Sequence, residues 1–517
     1  MAPLRSLLAA LSIGAVAAAP MALGAPANLG SVVGIDTECF APATHIDPAV
    51  RNGVATNPAW IARDQTNQRC AMLRTRDQLE NQAYGRKELV AGDGLYLKQA
   101  EEQAADGPGH IHGGITTLIP GSQGADAFRL LNLWRHETGG RDTAVSFRAS
   151  DGAVLRGHVF LPPTSEPAPP GGYPGIVITD GSIQAYENLY YWAAEGLAQY
   201  GFEVMTYDVQ GQGDSDLLPS SCTPADCPGV PYQQDYNFYQ GAEDALSFFD
   251  SPSNPGFYAL NSTQLGIAGH SLGAAAVSWV AQCDNRVKAV VAWDDLDPIS
   301  IANCPSNVDV AAANRATALH APALAMTNDY EFNIQPQLTP PNPHGSTNGG
   351  GGSGDSGYLS LSRAGVDSEL VSLRNGTHLT YSYIPYVLPA NQLGERFAFY
   401  YTLAWFDEYL RGGTDPYTSQ SAYQRLTSLG RYDTSADTNS KGTVSIGTGT
   451  YDAKAAAANP TDPYAGNVPY RIGGIPIQNS LSFYYYSEFH LTNPATGAVQ
   501  SCSDMLAGCP AVQPPTP

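Results

Sequence analysis

Basic residues are scarce in this chain. Lys and Arg number 26 against 48 Asp and Glu in 517 residues, a formal net charge of -22. Binding to phosphate backbones needs a basic face, and none is visible, so nucleic acid is not an expected partner. Charge of either sign is thin, 14% of residues, which excludes long charged helices. Beyond the N-terminus no apolar run approaches the roughly 20 residues that cross a bilayer, so stable membrane insertion is not expected. Metal-ligand spacing is missing too. Cys222 and Cys227 have no matching CxxC and no nearby His. His110 and His112 flank an Ile in a Gly-rich loop without a third ligand, and read as solvated loop.

What is present begins with apolar residues at 43%, enough to build a large core, and with 53 Gly and 39 Pro, the composition of a loop-rich globular chain. The acidic balance favours solubility. Arg5, then the apolar stretch Leu7 to Ala19, then small residues at Ala22-Leu23-Gly24 and Ala25-Pro26-Ala27, form the pattern of a secretory signal peptide over 1–24. Eight cysteines fall into neighbouring couples, Cys39/Cys70, Cys222/Cys227, Cys283/Cys304 and Cys502/Cys509. An even count in an exported chain predicts disulfides. Sequential pairing is the favoured arrangement, and the expected location is extracellular or periplasmic.

Residues 25–140 lack a clear period apart from a helical stretch, Asn57 to Tyr84, and read as an N-terminal extension. From there strands and helices alternate. Val154 to Leu161 pairs with Ala144 to Phe147 about the Asp151-Gly152 turn. Further strands are expected at 175–179, 204–207, 265–268, 287–292, 323–327 and 367–373. Helices are expected at 188–199, 238–249, 272–281 and 393–410. Such alternation predicts an α/β fold, a mostly parallel sheet wrapped by helices, over 141–412. Sheets of this kind place ligands at the carboxyl ends of their strands. After about 413 the regularity fades into a C-terminal extension, 413–517, rich in Tyr, Pro, Gly and Ser.

The motif that carries chemistry is Gly269-His270-Ser271-Leu272-Gly273, a GxSxG sequence that occurs once. The pattern alone is weak. Its context is specific: the apolar strand Leu265 to Ala268 enters it, and the small-residue run Ala274-Ala275-Ala276-Val277 leaves it as a helix. A sharp strand-to-helix turn exposes the serine oxygen, and the glycines let backbone and helix approach closely.

In these residues the chain resembles the α/β-hydrolase superfamily, over roughly half its length. Asp208 to Ser215 looks like that family's loop after its fourth strand. Asp180-Gly181-Ser182 stands where the family places an oxyanion-hole donor, with Asp-Gly in place of the common His-Gly. The resemblance implies backbone N–H donors at Ser182 and Leu272. It also implies Ser271 as nucleophile and His378, in Asn375-Gly376-Thr377-His378, as base. A serine needs a base, and the base an orienting carboxylate. Asp329, at the end of the strand 323–327, is the chosen acid. Glu331 is a rival, and so are Asp294, Asp295 and Asp297 after the preceding strand. Tyr186, Tyr190, Tyr191 and Trp192 follow the oxyanion loop. Trp293 stands where cutinase-like polyester hydrolases place a Trp and is expected to line the substrate pocket.

The expected function is a secreted serine esterase acting on a small-molecule or polymeric ester, with no metal or organic cofactor. The same triad would serve an exported peptidase, amidase or acyltransferase. A non-catalytic binding protein on this scaffold is the third possibility. The sequence sets no oligomeric state.

Overall fold

The computed structural model of the chain describes residues 61–71, most of 138–330, 357–382, 392–413, 421–427 and most of 480–509, with a few short segments besides. The segment expected to be a signal peptide, His110 and His112, Cys39, Cys222, Cys227, Asp295 and Glu331 lie outside the described residues.

Ten strands form one sheet. In chain order these are β1 (Arg141–Arg148), β2 (Val154–Leu161), β3 (Tyr173–Thr179), β4 (Glu203–Tyr207), β5 (Leu260–His270), β6 (Val287–Trp293), β7 (Ala323–Asn328) and β8 (Ser368–Leu373). A separate two-stranded pair, β9 (Thr448–Tyr451) and β10 (Asn467–Pro469), precedes the last two strands of the sheet, β11 (Glu488–Thr492) and β12 (Val499–Cys502). The spatial order is β1-β2-β4-β3-β5-β6-β7-β8-β11-β12.

The expected mostly parallel sheet needs a correction. The run from β4 to β8 is parallel throughout. Both margins are antiparallel: β1 on β2 and β2 on β4 at one side, β11 on β8 and β12 on β11 at the other. Burial explains the split. The central strands carry side chains that are buried on both faces, as in Tyr173–Thr179 and Ala323–Asn328. Near-continuous burial is what parallel strands covered by helices require. β2 alternates half-buried and buried positions, and β1 is largely exposed. Charged Arg141, Asp142 and Arg148 on that outer strand discourage a further strand from adding to it.

The far margin belongs to the C-terminal extension, where sequence periodicity had faded. β11 covers the edge of β8, and the chain before it adds bonds of its own. Arg374 N–H donates to the Ser480 carbonyl at 2.9 Å, and Ser482 N–H to the Ser372 carbonyl at 2.8 Å. β11 is five residues long, and its neighbour β12 four. Strands that short carry too few positions for a period of two to stand out.

Helices cover both faces. α1 spans residues 61–71. α3 (Asp235–Phe249), α4 (Leu272–Cys283) and α5 (Gly357–Arg363) contribute Phe238, Ala245, Val277 and Leu361 to one apolar cluster with Val177, Ile267 and Val290 of the sheet. α2 (Tyr191–Gln199) and α6 (Gln392–Arg411) pack on the other face, with α7 (Ala422–Thr427) against α6. Two strand glycines record how closely the layers approach. A methyl on Gly175 would meet Phe249 of α3 at 2.6 Å, and one on Gly266 would meet Phe406 of α6 at 2.6 Å. Fully buried Trp192, Trp293, Trp405 and Phe406 anchor this second face. Burying side chains of this size contributes about 1.5–3 kcal/mol each.

Two of the expected disulfides are formed, Cys283–Cys304 and Cys502–Cys509. Cys70 is also disulfide-bonded. Among the described residues no helix is long and apolar enough to cross a membrane.

Candidate active site

β5 ends at His270, and α4 begins at Leu272, so Ser271 is the whole of the turn between them. Its backbone has φ 56° and ψ -123°. For a residue with a Cβ this conformation is strained, at about 1–3 kcal/mol. The glycines on either side are dictated by contact. A methyl on Gly269 would lie 2.4 Å from the Gly273 carbonyl, and one on Gly273 would lie 2.1 Å from the Asp180 carbonyl. The turn is tied down by the Ser271 N–H, which donates to the Trp293 carbonyl at 3.0 Å. Ser271 and Leu272 are half-exposed, whereas Gly273 to Ser278 behind them are buried. The serine oxygen is thus presented at an otherwise closed surface, over the first N–H groups of a helix, which have no partner within it.

His378 follows β8 through the turn Asn375–Thr377. Its Nε2 lies 2.9 Å from Ser271 Oγ. Its Nδ1 lies 2.5 Å from Asp294 Oδ2. The three groups come from the ends of β5, β6 and β8, all of which point the same way in the sheet. Asp294 also has a positive φ, 55°, and so does Asn375 at the start of the His378 turn, 62°. Among the described residues, Ser271, Asp294 and Asn375 are the non-glycine positions in this region of backbone space. Strained backbone confined to one constellation is a mark of function.

The expected acid, Asp329, is not part of this line. It is fully buried one strand further on. Its Oδ2 accepts the Asn375 N–H at 2.9 Å and an Asn67 Nδ2–H at 2.7 Å, and its Oδ1 accepts the Ser482 hydroxyl. Burial pushes its carboxyl up to about 6, against these bonds, which lower it. Asp329 therefore fastens the turn before His378 to α1 and to the C-terminal extension. Of the other rivals, Asp297 accepts the Trp279 indole N–H at 3.1 Å. The sequence did hold a signal for Asp294: it is the first residue after the buried strand β6, as Ser271 is the first after β5. The family resemblance favoured Asp329, the aspartate after β7, but the adjacent parallel strand β6 is also followed directly by an aspartate.

The loop after β3 approaches the Ser271 turn: a methyl on Gly181 would lie 3.2 Å from the His270 carbonyl oxygen. Gly181 is buried and Ser182 half-exposed. The Asp180 side chain turns away, towards the Val209 N–H at 3.4 Å. Burial, reinforced by the charge of Asp208, pushes its carboxyl well above the usual range. The loop after β4 supports this one. Gln212 Nε2 donates to the Gly181 carbonyl at 2.7 Å. Asp208 Oδ1 accepts the Glu187 N–H at 2.8 Å, while its Oδ2 accepts the Asp214 N–H at 2.8 Å. The sequence reading placed both loops here but missed the role of Gln212, which no motif marks.

The aromatic residues are mostly core. Trp293, expected in a pocket wall, is fully buried. Its indole N–H donates to Thr402 Oγ1 at 3.0 Å, and its ring lies against Tyr190 and Trp192. A substrate would meet no surface of it. Trp192 donates to the Tyr381 carbonyl at 2.9 Å, clamping α2 to the segment that carries His378. Among the described residues no group of His, Cys, Asp and Glu could hold a metal ion. No protein-family model matches the chain. No curated protein matches it.

Proposed function

We propose that the chain is an exported serine hydrolase of the α/β-hydrolase kind that cleaves carboxylic esters. The observation that carries the reading is the unbroken line Ser271 Oγ, His378, Asp294, with contacts of 2.9 and 2.5 Å, at the carboxyl ends of parallel strands. This is the arrangement that makes a serine oxygen nucleophilic. Ser271 Oγ attacks the ester carbonyl carbon while His378 Nε2 takes its proton. Asp294 holds Nδ1–H, fixes the tautomer in which Nε2 is free to accept, and stabilises the imidazolium. The developing oxyanion is met by backbone N–H groups of Leu272 and Ser182, the first at a helix N-terminus, where the peptide dipoles add to the attraction. Collapse expels the alcohol, which takes the proton from His378. Water, deprotonated by the same histidine, then releases the acid and returns the proton to Ser271. The disulfides Cys283–Cys304 and Cys502–Cys509 support an oxidising compartment.

The test is hydrolysis of p-nitrophenyl esters and labelling by a serine-directed phosphonate. Wild-type chain turns over and is labelled at Ser271; Ser271→Ala does neither. Undiminished turnover in Ser271→Ala sinks the proposal.

A further inference from the structure

His270 and Tyr190 lie beneath the Ser271 turn, and the chemistry proposed above uses neither. His270 is buried, Tyr190 fully so. They form a continuous chain of hydrogen bonds. The Gly181 N–H is 3.0 Å from Tyr190 Oη, Tyr190 Oη is 2.9 Å from His270 Nδ1, and His270 Nε2 is 2.8 Å from the His378 carbonyl oxygen. Both ends of this chain are backbone groups of fixed polarity. Gly181 N–H can only donate, and the His378 carbonyl can only accept. The two outer bonds follow: Tyr190 accepts from Gly181, and His270 Nε2–H donates to His378. In the neutral Nε2–H form of the imidazole Nδ1 is bare, and Tyr190 donates its proton to it. Burial, and after it the neighbouring His378, holds His270 well below its ordinary value and keeps it in that form. Burial likewise holds the Tyr190 phenol well above its ordinary range, so its proton stays on.

From this geometry we infer that Tyr190 and His270 are positioning residues, an uncharged relay that sets the oxyanion loop and the backbone of the base at fixed distances from the nucleophile. The inference rests on the hydrolase reading of the site. Two physical consequences make the relay more than packing. The Tyr190 bond holds the peptide just before the one that carries the proposed Ser182 donor, and Gln212 holds the Gly181 carbonyl of that donor's own peptide, so the two bonds together fix where the donor points. The His270 and His378 rings have centroids 4.8 Å apart. His378 becomes a cation during turnover, and a neutral neighbour at that distance leaves this charge unopposed. A charged one would repel it.

Tyr190→Phe removes one oxygen and leaves the ring stacked on Trp293 at 7° between planes. Misaimed donors cost catalysis, not ground-state binding. The expected result is a kcat lower by about 10- to 100-fold, a KM within about threefold of wild type, and phosphonate labelling slowed in parallel with kcat. A kcat within about twofold of wild type overturns the relay, as does a loss confined to KM. If Tyr190→Phe does not fold, neutron diffraction from wild-type crystals decides. Hydrogen on His270 Nε2 and on Tyr190 Oη, with Nδ1 bare, supports the relay; hydrogen on Nδ1 overturns it. A wild-type chain without ester turnover or labelling overturns the hydrolase reading and the relay's role with it. An active wild type with an equally active Tyr190→Phe overturns the relay alone.

Discussion

Two buried aspartates end adjacent strands, and they should behave oppositely when each is changed to Asn. Asp294 receives Nδ1–H of His378 at 2.5 Å. Asn is nearly the same shape, and it tolerates the positive φ of this position, where Ala would add strain. Its amide, however, can present N–H to Nδ1. The imidazole then keeps its proton on Nε2 and can no longer accept from Ser271. The expected loss in kcat is about 10³- to 10⁴-fold, or about 4–5.5 kcal/mol of barrier. KM should hardly move, because Asp294 is buried behind His378. At Asp329 the carboxylate instead collects donors from Asn67, Asn375 and Ser482. Asp329→Asn turns one acceptor into a donor facing a donor, which costs about 1–3 kcal/mol of stability. Asn keeps one acceptor oxygen, which can still hold the Asn375 N–H and with it the place of His378, so kcat per folded molecule should stay within a few-fold of wild type. The assay is ester turnover corrected for the active fraction by phosphonate titration, beside urea unfolding. An Asp294→Asn protein within tenfold of wild type, or an Asp329→Asn protein that folds but is inactive, refutes the assignment.

Gly273→Ala would drive a methyl to 2.1 Å from the Asp180 carbonyl. Helix α4 and the loop after β3 must part, and we expect more than about 100-fold loss of turnover with reduced thermal stability; turnover near wild type would contradict the packing. Stability should be greater near pH 5 than near pH 8, read from melting temperature. Burial first, in each case, pushes Asp329 to about 6, Glu203 and Glu408 to about 7 and Glu488 to about 8. Carboxyls raised on folding add stability that is fully present below about pH 4 and is lost as pH rises through these values. His270 and His320, both held low by burial, work in the opposite sense, losing stability as pH falls through their unfolded value, but they are two groups against these four. A higher melting temperature near pH 8 contradicts this balance. Truncation before Ser480 removes both β11 and the Ser482 hydroxyl from Asp329. It uncovers the edge of β8, and aggregation on light scattering is the expected outcome; a monomeric, fully active truncation would show that the extension is dispensable.

The parts of this molecule legible in sequence are those where one local rule decides. β3, β5, β6 and β7 are apolar runs that are buried at both faces, and their burial requires neighbours on each side, so pattern alone located them. The turn at Ser271 was legible because contact distances forbid anything but glycine at 269 and 273, and that prohibition is written in the sequence. Asp294 was legible only as a rival of Asp329, because choosing between the two needs the lateral position of His378, which no local pattern constrains. The turn Asn375–Thr377 decides it. Asp329 pins that turn through the Asn375 N–H, and the pinned turn carries His378 back over β6, where Asp294 waits. The aspartate that spacing favoured thus belongs to the same machinery, one step removed: it sets the place of the histidine that the other orients. The same logic governs Trp293. The sequence sets it just after a strand, as a pocket wall would need, but it is the last residue of β6, where Thr402 of α6 captures its indole N–H and Tyr190 covers its face. What sits above that ring is the relay from Gly181 to His378, so the tryptophan supports the geometry of the site from beneath.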